Sequence, residues 1–91
     1  MTKIGTLAGK GFLIVRGDDL GEVDCEIDVF LEGSLKHGYG HLIGDCNCLE
    51  KAFTGRDVML RLRSGEEVKI VIKQLNNERA EVLVSSEIPG Y

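Results

Sequence analysis

Along most of the chain apolar and polar residues alternate, the two-residue period of a strand with one face buried. Between residues 23 and 31 the apolar set is Val23, Cys25, Ile27, Val29 and Leu31, and the opposite set is Asp24, Glu26, Asp28 and Phe30. Val58, Leu60 and Leu62, then Val68, Ile70 and Ile72, then Ala80, Val82 and Val84 repeat the rhythm. This predicts three successive strands that share one inner wall. Ser64-Gly65 and Asn76-Asn77 separate them, residues that adopt positive φ cheaply and suit tight hairpin turns. Gly9-Lys10-Gly11 predicts a similar tip between strands at 3–8 and 12–16, and Gly17-Asp18-Asp19 with Gly21 predicts the next loop.

One segment breaks the rhythm. Leu49, Ala52 and Phe53 fall at helical spacing, Asn47 and Glu50 resemble a capping box, and Gly55 is a natural stop. The spacing predicts a short helix at about 47–54. The expected order is β-β-β-β-α-β-β-β, in a single domain covering residues 1–91, with no internal repeat or linker. Pro89 begins a short tail to which the pattern assigns no structure.

A single open sheet cannot bury its apolar side alone. The predicted fold is therefore mainly β, a small antiparallel meander that forms a partly closed barrel or roll, with the helix plugging one end. A two-sheet sandwich is the competing arrangement. A helix inserted between the third and fourth strands of a five-strand barrel is the layout of an oligonucleotide/oligosaccharide-binding fold. The count here departs from five, and merging the two early hairpin strands brings it nearer without reaching it.

Composition narrows the class. A chain of 91 residues hides only about 60 to 65% of its unfolded surface, so the core is thin. The longest apolar run, residues 12–15, has four members, far below the ~20 that a membrane-spanning helix needs. The amino terminus carries no secretory pattern, and the cysteines number three with no Asn-x-Ser/Thr acceptor. The expectation is a cytoplasmic protein with free thiols.

Charge is unevenly placed. Residues 1–53 carry 5 bases and 9 acids, against 6 and 6 in residues 54–91. Residues 18–32 hold seven acids and no base. Alternation accounts for four of them, since Asp24, Glu26, Asp28 and Glu32 share the outer face of one strand. The outer face of the last three strands has the other sign, with Arg61, Arg63, Lys69, Lys73 and Arg79. If the two faces are neighbours, cross-strand ion pairs follow. If they lie apart, the bipolar surface suits head-to-tail self-contact or a charged partner. The net charge of −4 argues against general nucleic-acid affinity. So does the basic face, which interleaves Met59, Val71 and Leu83 where stacking aromatics would be needed.

Chemistry could reside at three places. On a strand, Lys36, Gly38, Gly40, Leu42 and Gly44 share one face, and three of these five have no side chain. Such a stripe marks a close approach of another backbone, a helix or a ligand. It is filled by Leu49 and Phe53 of the helix, or by a sharp bend as the barrel closes, or else it receives a small ligand. The candidate ligand residues are His37, Gly38, Tyr39, Gly40 and His41. Strand geometry sets His37 and His41 roughly 13 Å apart, too far for one metal ion. The second place is Asp45-Cys46-Asn47-Cys48, where Cys48, as the first residue of a helix capped by Asn47, would be a reactive thiol. Its C-x-C spacing has no second pair, and Cys25 lies among core positions, so no metal is expected. The third place is the acid run, whose spacing does not fit a calcium-binding EF-hand loop. Arg16-Gly17-Asp18 and Gly9-Lys10-Gly11 match only fragments of known motifs.

No nucleophile elbow and no carboxylate pair set for acid–base work is present. The expected function is that of a non-enzymatic protein-interaction or self-assembling module without a cofactor, acting on a protein partner or a second copy. A small-ligand barrel using the glycine-rich strand and an oligonucleotide-binding-like barrel are the alternatives.

Overall fold

The structure, a computed structural model, describes residues 2–91. Its elements are β1 (Thr2–Val15), β2 (Asp18–Glu32), β3 (Leu35–Ile43), α1 (Cys46–Thr54), β4 (Val58–Leu62), β5 (Glu67–Asn76) and β6 (Arg79–Val84). Two antiparallel meanders, β1-β2-β3 and β4-β5-β6, are joined by β1·β4 and β3·β6 pairing into a ring in the order β1-β2-β3-β6-β5-β4. The ring is not a regular barrel, because β4 has 5 residues while β1 and β2 have 14 and 15. The long strands run past its short neighbour.

The inner wall is the one that the alternation predicts. Val23, Cys25, Ile27, Val29, Val58, Leu60, Val68, Ile70, Ala80, Val82 and Val84 are all buried, and Leu31, Leu62 and Ile72 are half-buried. Leu13, Ile27, Leu42, Leu49 and Leu60 have no exposed surface.

Several boundaries differ from expectation. Gly9-Lys10-Gly11 does not reverse the chain, and residues 3–8 and 12–16 are not two strands. Gly9 adopts φ 130° yet keeps its place opposite Cys25, so β1 bends without turning. Gly11 is where β4 joins, and a Cβ there would stand 3.0 Å from the Arg61 carbonyl oxygen. The hairpin turn is Arg16-Gly17 alone, with φ 52° and 84°. Asp18 and Asp19, expected in the loop, open β2. The β5–β6 turn is shifted by one residue to Asn77-Glu78, with Asn77 at φ 57° and Asn76 paired to Arg79.

The helix begins at Cys46, capped by Asp45 rather than Asn47, since Asp45 Oδ1 accepts the Asn47 N–H at 2.8 Å. Its buried face is Cys48, Leu49 and Ala52, and Phe53 is 49% exposed. At 100° per residue Phe53 stands roughly 90° from the centre of that face, which explains its exposure.

The two ends of the ring are closed differently. The helix covers one end, where Gly55 lies against Val15 and Cys48 beside Gly21. The tail covers the other. Ser85 donates its N–H to the Lys69 carbonyl, the Lys69 N–H is taken by Ser86 Oγ, and Ile88 is buried in the core. The Tyr91 ring occupies the space that a side chain at Gly5 would need. Ile88, just ahead of the tail that begins at Pro89, is thus an apolar plug, and Tyr91 of the tail itself packs on β1. Ile88→Ala is expected to lower stability by about 2–4 kcal/mol, read as a shifted urea midpoint.

Candidate functional site

The glycine stripe of β3 faces inward, and its space is filled by protein. A Cβ at Gly38 would meet Val84 at 2.9 Å and Ile27 at 3.2 Å, and one at Gly44 would meet Val23 at 2.8 Å. At Gly40 it would collide with the backbone of Glu26 and Ile27. The neighbouring strands, and not Leu49 or Phe53 of the helix, cover the stripe. Of the expected occupants of this space, the structure shows the strands beside β3. A Cβ on Gly38 or Gly40 would therefore point away from the side chains of His37, Tyr39 and His41. Gly40→Ala is expected to destabilise by about 1–3 kcal/mol or more, by wedging β2 from β3, measured by chemical denaturation.

His37, Tyr39 and His41 lie on the outer surface of the ring. Here sheet register assembles rows that cross four strands. Asp28, Tyr39, Leu83 and Val71 stand opposite one another in sequence across β2, β3, β6 and β5. Glu26, His41, Glu81 and Gln74 form the row beside it, and Phe30 is opposite His37. The Phe30 and Tyr39 rings are tilted at 58° with centroids 5.9 Å apart, and the His37 ring is 6.2 Å from Tyr39. Arg79 Nη2 is 3.5 Å from His41 Nδ1.

Tyr39 and Val71 are each 42% exposed, and Leu83 is half-buried between them. A shallow depression of about 280 Å³ adjoins the row, lined by Tyr39, Gly40, Lys73, Glu81, Val82 and Leu83. It lies where the β5–β6 register slips between Ile72 and Gln74. Phe30, Val71 and Leu83 are the members that sequence reasoning did not collect into a site. Each was visible as an apolar residue at an outer position, but the β3·β6 pairing that unites them joins strands distant in sequence.

The acidic strand is flanked by β1 and β3 rather than by the basic strands. Its carboxylates meet the lysines of β1. Lys10 Nζ lies 2.8 Å from Asp24 and 3.9 Å from Glu22, and Lys3 Nζ lies 3.1 Å from Asp28, which also accepts from Thr6 Oγ1 at 3.1 Å. The hydrogen bond to Asp24, with its charge, raises the Lys10 pKa, while the hydrogen bonds from Lys3 and Thr6 hold Asp28 below its ordinary value. The bases of β4 and β5 pair locally, Arg61 with Glu67 at 2.8 Å and Lys69 with Asp57 at 3.5 Å. Solvent screens such exposed pairs, so each contributes little to stability. Asp18 and Asp19 do not form a loop cage, and Asp19 Oδ1 is engaged by the Gly21 N–H at 2.9 Å.

Cys48 is the third helical residue and buried, while Cys46, the first, is exposed. Burial pushes the Cys48 thiol up, reinforced by the carboxylates of Asp45 and Asp19. Cys25 is likewise raised, by burial and then by Asp24. Among the described residues no grouping of His, Cys, Asp and Glu is placed to hold a metal ion. In titration with a disulfide reagent near pH 8, Cys46 is expected to react promptly and Cys25 and Cys48 only on unfolding. Prompt labelling retained by a Cys46→Ser variant would contradict this burial pattern.

Comparison with known proteins found no matching family model, no matching curated protein and no matching solved structure.

Proposed function

We propose that this protein is a non-enzymatic interaction module that self-associates through the outer face of β3, β6 and β5. The observation behind this reading is the row Tyr39, Leu83, Val71, extended by Phe30. The inner face of an antiparallel sheet supplies the core, so its outer face is ordinarily polar. A contiguous apolar row there costs solvation in the free protein and gains from being covered. Lys73 and Glu81 at its rim offer opposite charges to a matching copy. The catalytic and metal chemistries weighed from the sequence gain no support from the geometry: the histidines stand in different rows, and the thiol expected to be reactive is buried.

The oligonucleotide reading is the second one with an observation in its favour. Merging the two early strands puts the helix between the third and fourth strands, although the ring has six strands and that layout has five. Phe30, His37 and Tyr39 then lie on the β2–β3 face that oligonucleotide-binding barrels use. The carboxylates of Glu26, Asp28 and Glu81 in the same rows oppose a phosphate backbone, and this ranks the reading below self-association.

Sedimentation velocity across a dilution series is expected to show a reversible dimer. Leu83→Glu should weaken it by about tenfold or more while changing stability by no more than about 0.5 kcal/mol. A monomer at every concentration, together with anisotropy-detected binding of a single-stranded oligothymidylate, would transfer the face to the second reading.

A further inference from the structure

We propose that the free edge of β1, residues 2–10, docks an extended protein segment in which acidic and apolar residues alternate. This does not rest on the outer-face reading, since it concerns a different strand and a different kind of contact.

Three observations converge on that edge. First, β4 pairs with β1 only over residues 11–15, and among the described residues no strand or loop backbone bonds to the second edge of residues 2–10. None of those nine residues is buried. Their outward N–H and C=O groups are open to an added strand. Second, the ring has an opening beside this edge. Leu7, Ala8, Lys10, Cys25, Leu62 and Arg63 line a pocket of about 200 Å³ there. Leu7, Cys25 and Leu62 belong to the inner face, so a segment continuing the line of β4 beyond Leu62 would aim alternate side chains at this pocket. An aliphatic side chain entering it would be buried against the core.

Third, the polarity of the edge selects the partner. Lys10 and Arg63 stand at the pocket rim and Lys3 lies farther along the same strand. The other edge of β1 already holds a strand of the proposed pattern. In residues 22–29 of β2, Val23, Cys25, Ile27 and Val29 face inward, while Asp24 and Asp28 meet Lys10 and Lys3. Arg63, which forms none of the ion pairs described above, is available to a further acid. A second copy is the poorer occupant, because β1 paired with its own copy would line one seam with Lys3 and Lys10 from both chains.

The probe is a fluorescein-labelled peptide of sequence Glu-Val-Asp-Val-Glu-Ile-Asp-Val, which reproduces residues 22–29 with Val in place of Cys25. Its anisotropy with the full chain is expected to rise on binding. Affinity should fall about tenfold or more between about 50 mM and about 500 mM salt, and by a similar factor in Arg63→Glu. Arg63 is exposed in a turn, and circular dichroism verifies that the variant folds. Leu83→Glu should leave binding unchanged. Amide exchange should slow at alternate residues between 4 and 10 when the peptide is present. No binding, equal binding of a version with Lys at every acidic position, or protection elsewhere would overturn the proposal. So would concentration-dependent protection of residues 2–10 without peptide, which would assign the edge to self-pairing.

Discussion

The ring closes only because β3 lacks side chains where β2 and β6 press on it. Ile27 and Gly40 face each other across the β2·β3 ladder, and the backbone of Glu26 and Ile27 lies where a Cβ on Gly40 would be. Gly38 grants the same intimacy to Val84, and Gly44 to Val23. A side chain at Gly38 would open the seam through which β3 reaches β6, and side chains at Gly40 and Gly44 would force β3 away from β2. Glycine normally weakens a strand. Here that cost is offset because the missing atoms let three strands share one layer of aliphatic packing.

A ring this small needs its ends covered. The core is a single layer, with Leu13, Ile27, Leu42 and Leu60 at its centre. Leu49 and Ala52 from the helix complete it on one side and Ile88 from the tail on the other. Gly5 and Val15 mark how far apart those ends are along β1, since Tyr91 lies on the first and Gly55 on the second. The helix is thus a cap, and it contributes nothing to the surface carrying His37, Tyr39 and His41. The described core residues are all apolar.

The strands and their inward faces were legible from alternation, because burial on one side imposes a period of two that no other element shares. The errors arose where one residue type serves two purposes. Gly9 and Gly11 read as a turn but bend a strand and admit its neighbour. Asn47 reads as a cap, yet Asp45 two residues earlier accepts the hydrogen bond. Ile88, just ahead of the tail, went unassigned because a single apolar residue has no period. The outer row was legible residue by residue, Phe30 standing out among acids, Val71 between Lys69 and Lys73, and Leu83 between Glu81 and Ser85. Its continuity was not, because local pattern fixes which way a side chain faces but not which distant strand lies beside it.

The two exposed features are separated by the acidic strand, and that separation has a physical consequence. On the outer surface β2 lies between β1 and β3, with Asp24 and Asp28 bound to Lys10 and Lys3 on one side and Glu26 beside His41 on the other. These charges keep the apolar row of β3, β6 and β5 from running on into β1. They also satisfy one side of the β1 lysines without burying them, so Lys3 and Lys10 remain about half exposed. A strand added to the free edge would meet the same cations from the opposite direction, and the cover over the apolar row need not change. The arrangement therefore permits two contacts of different character at once, one set by main-chain pairing and charge, the other by apolar area.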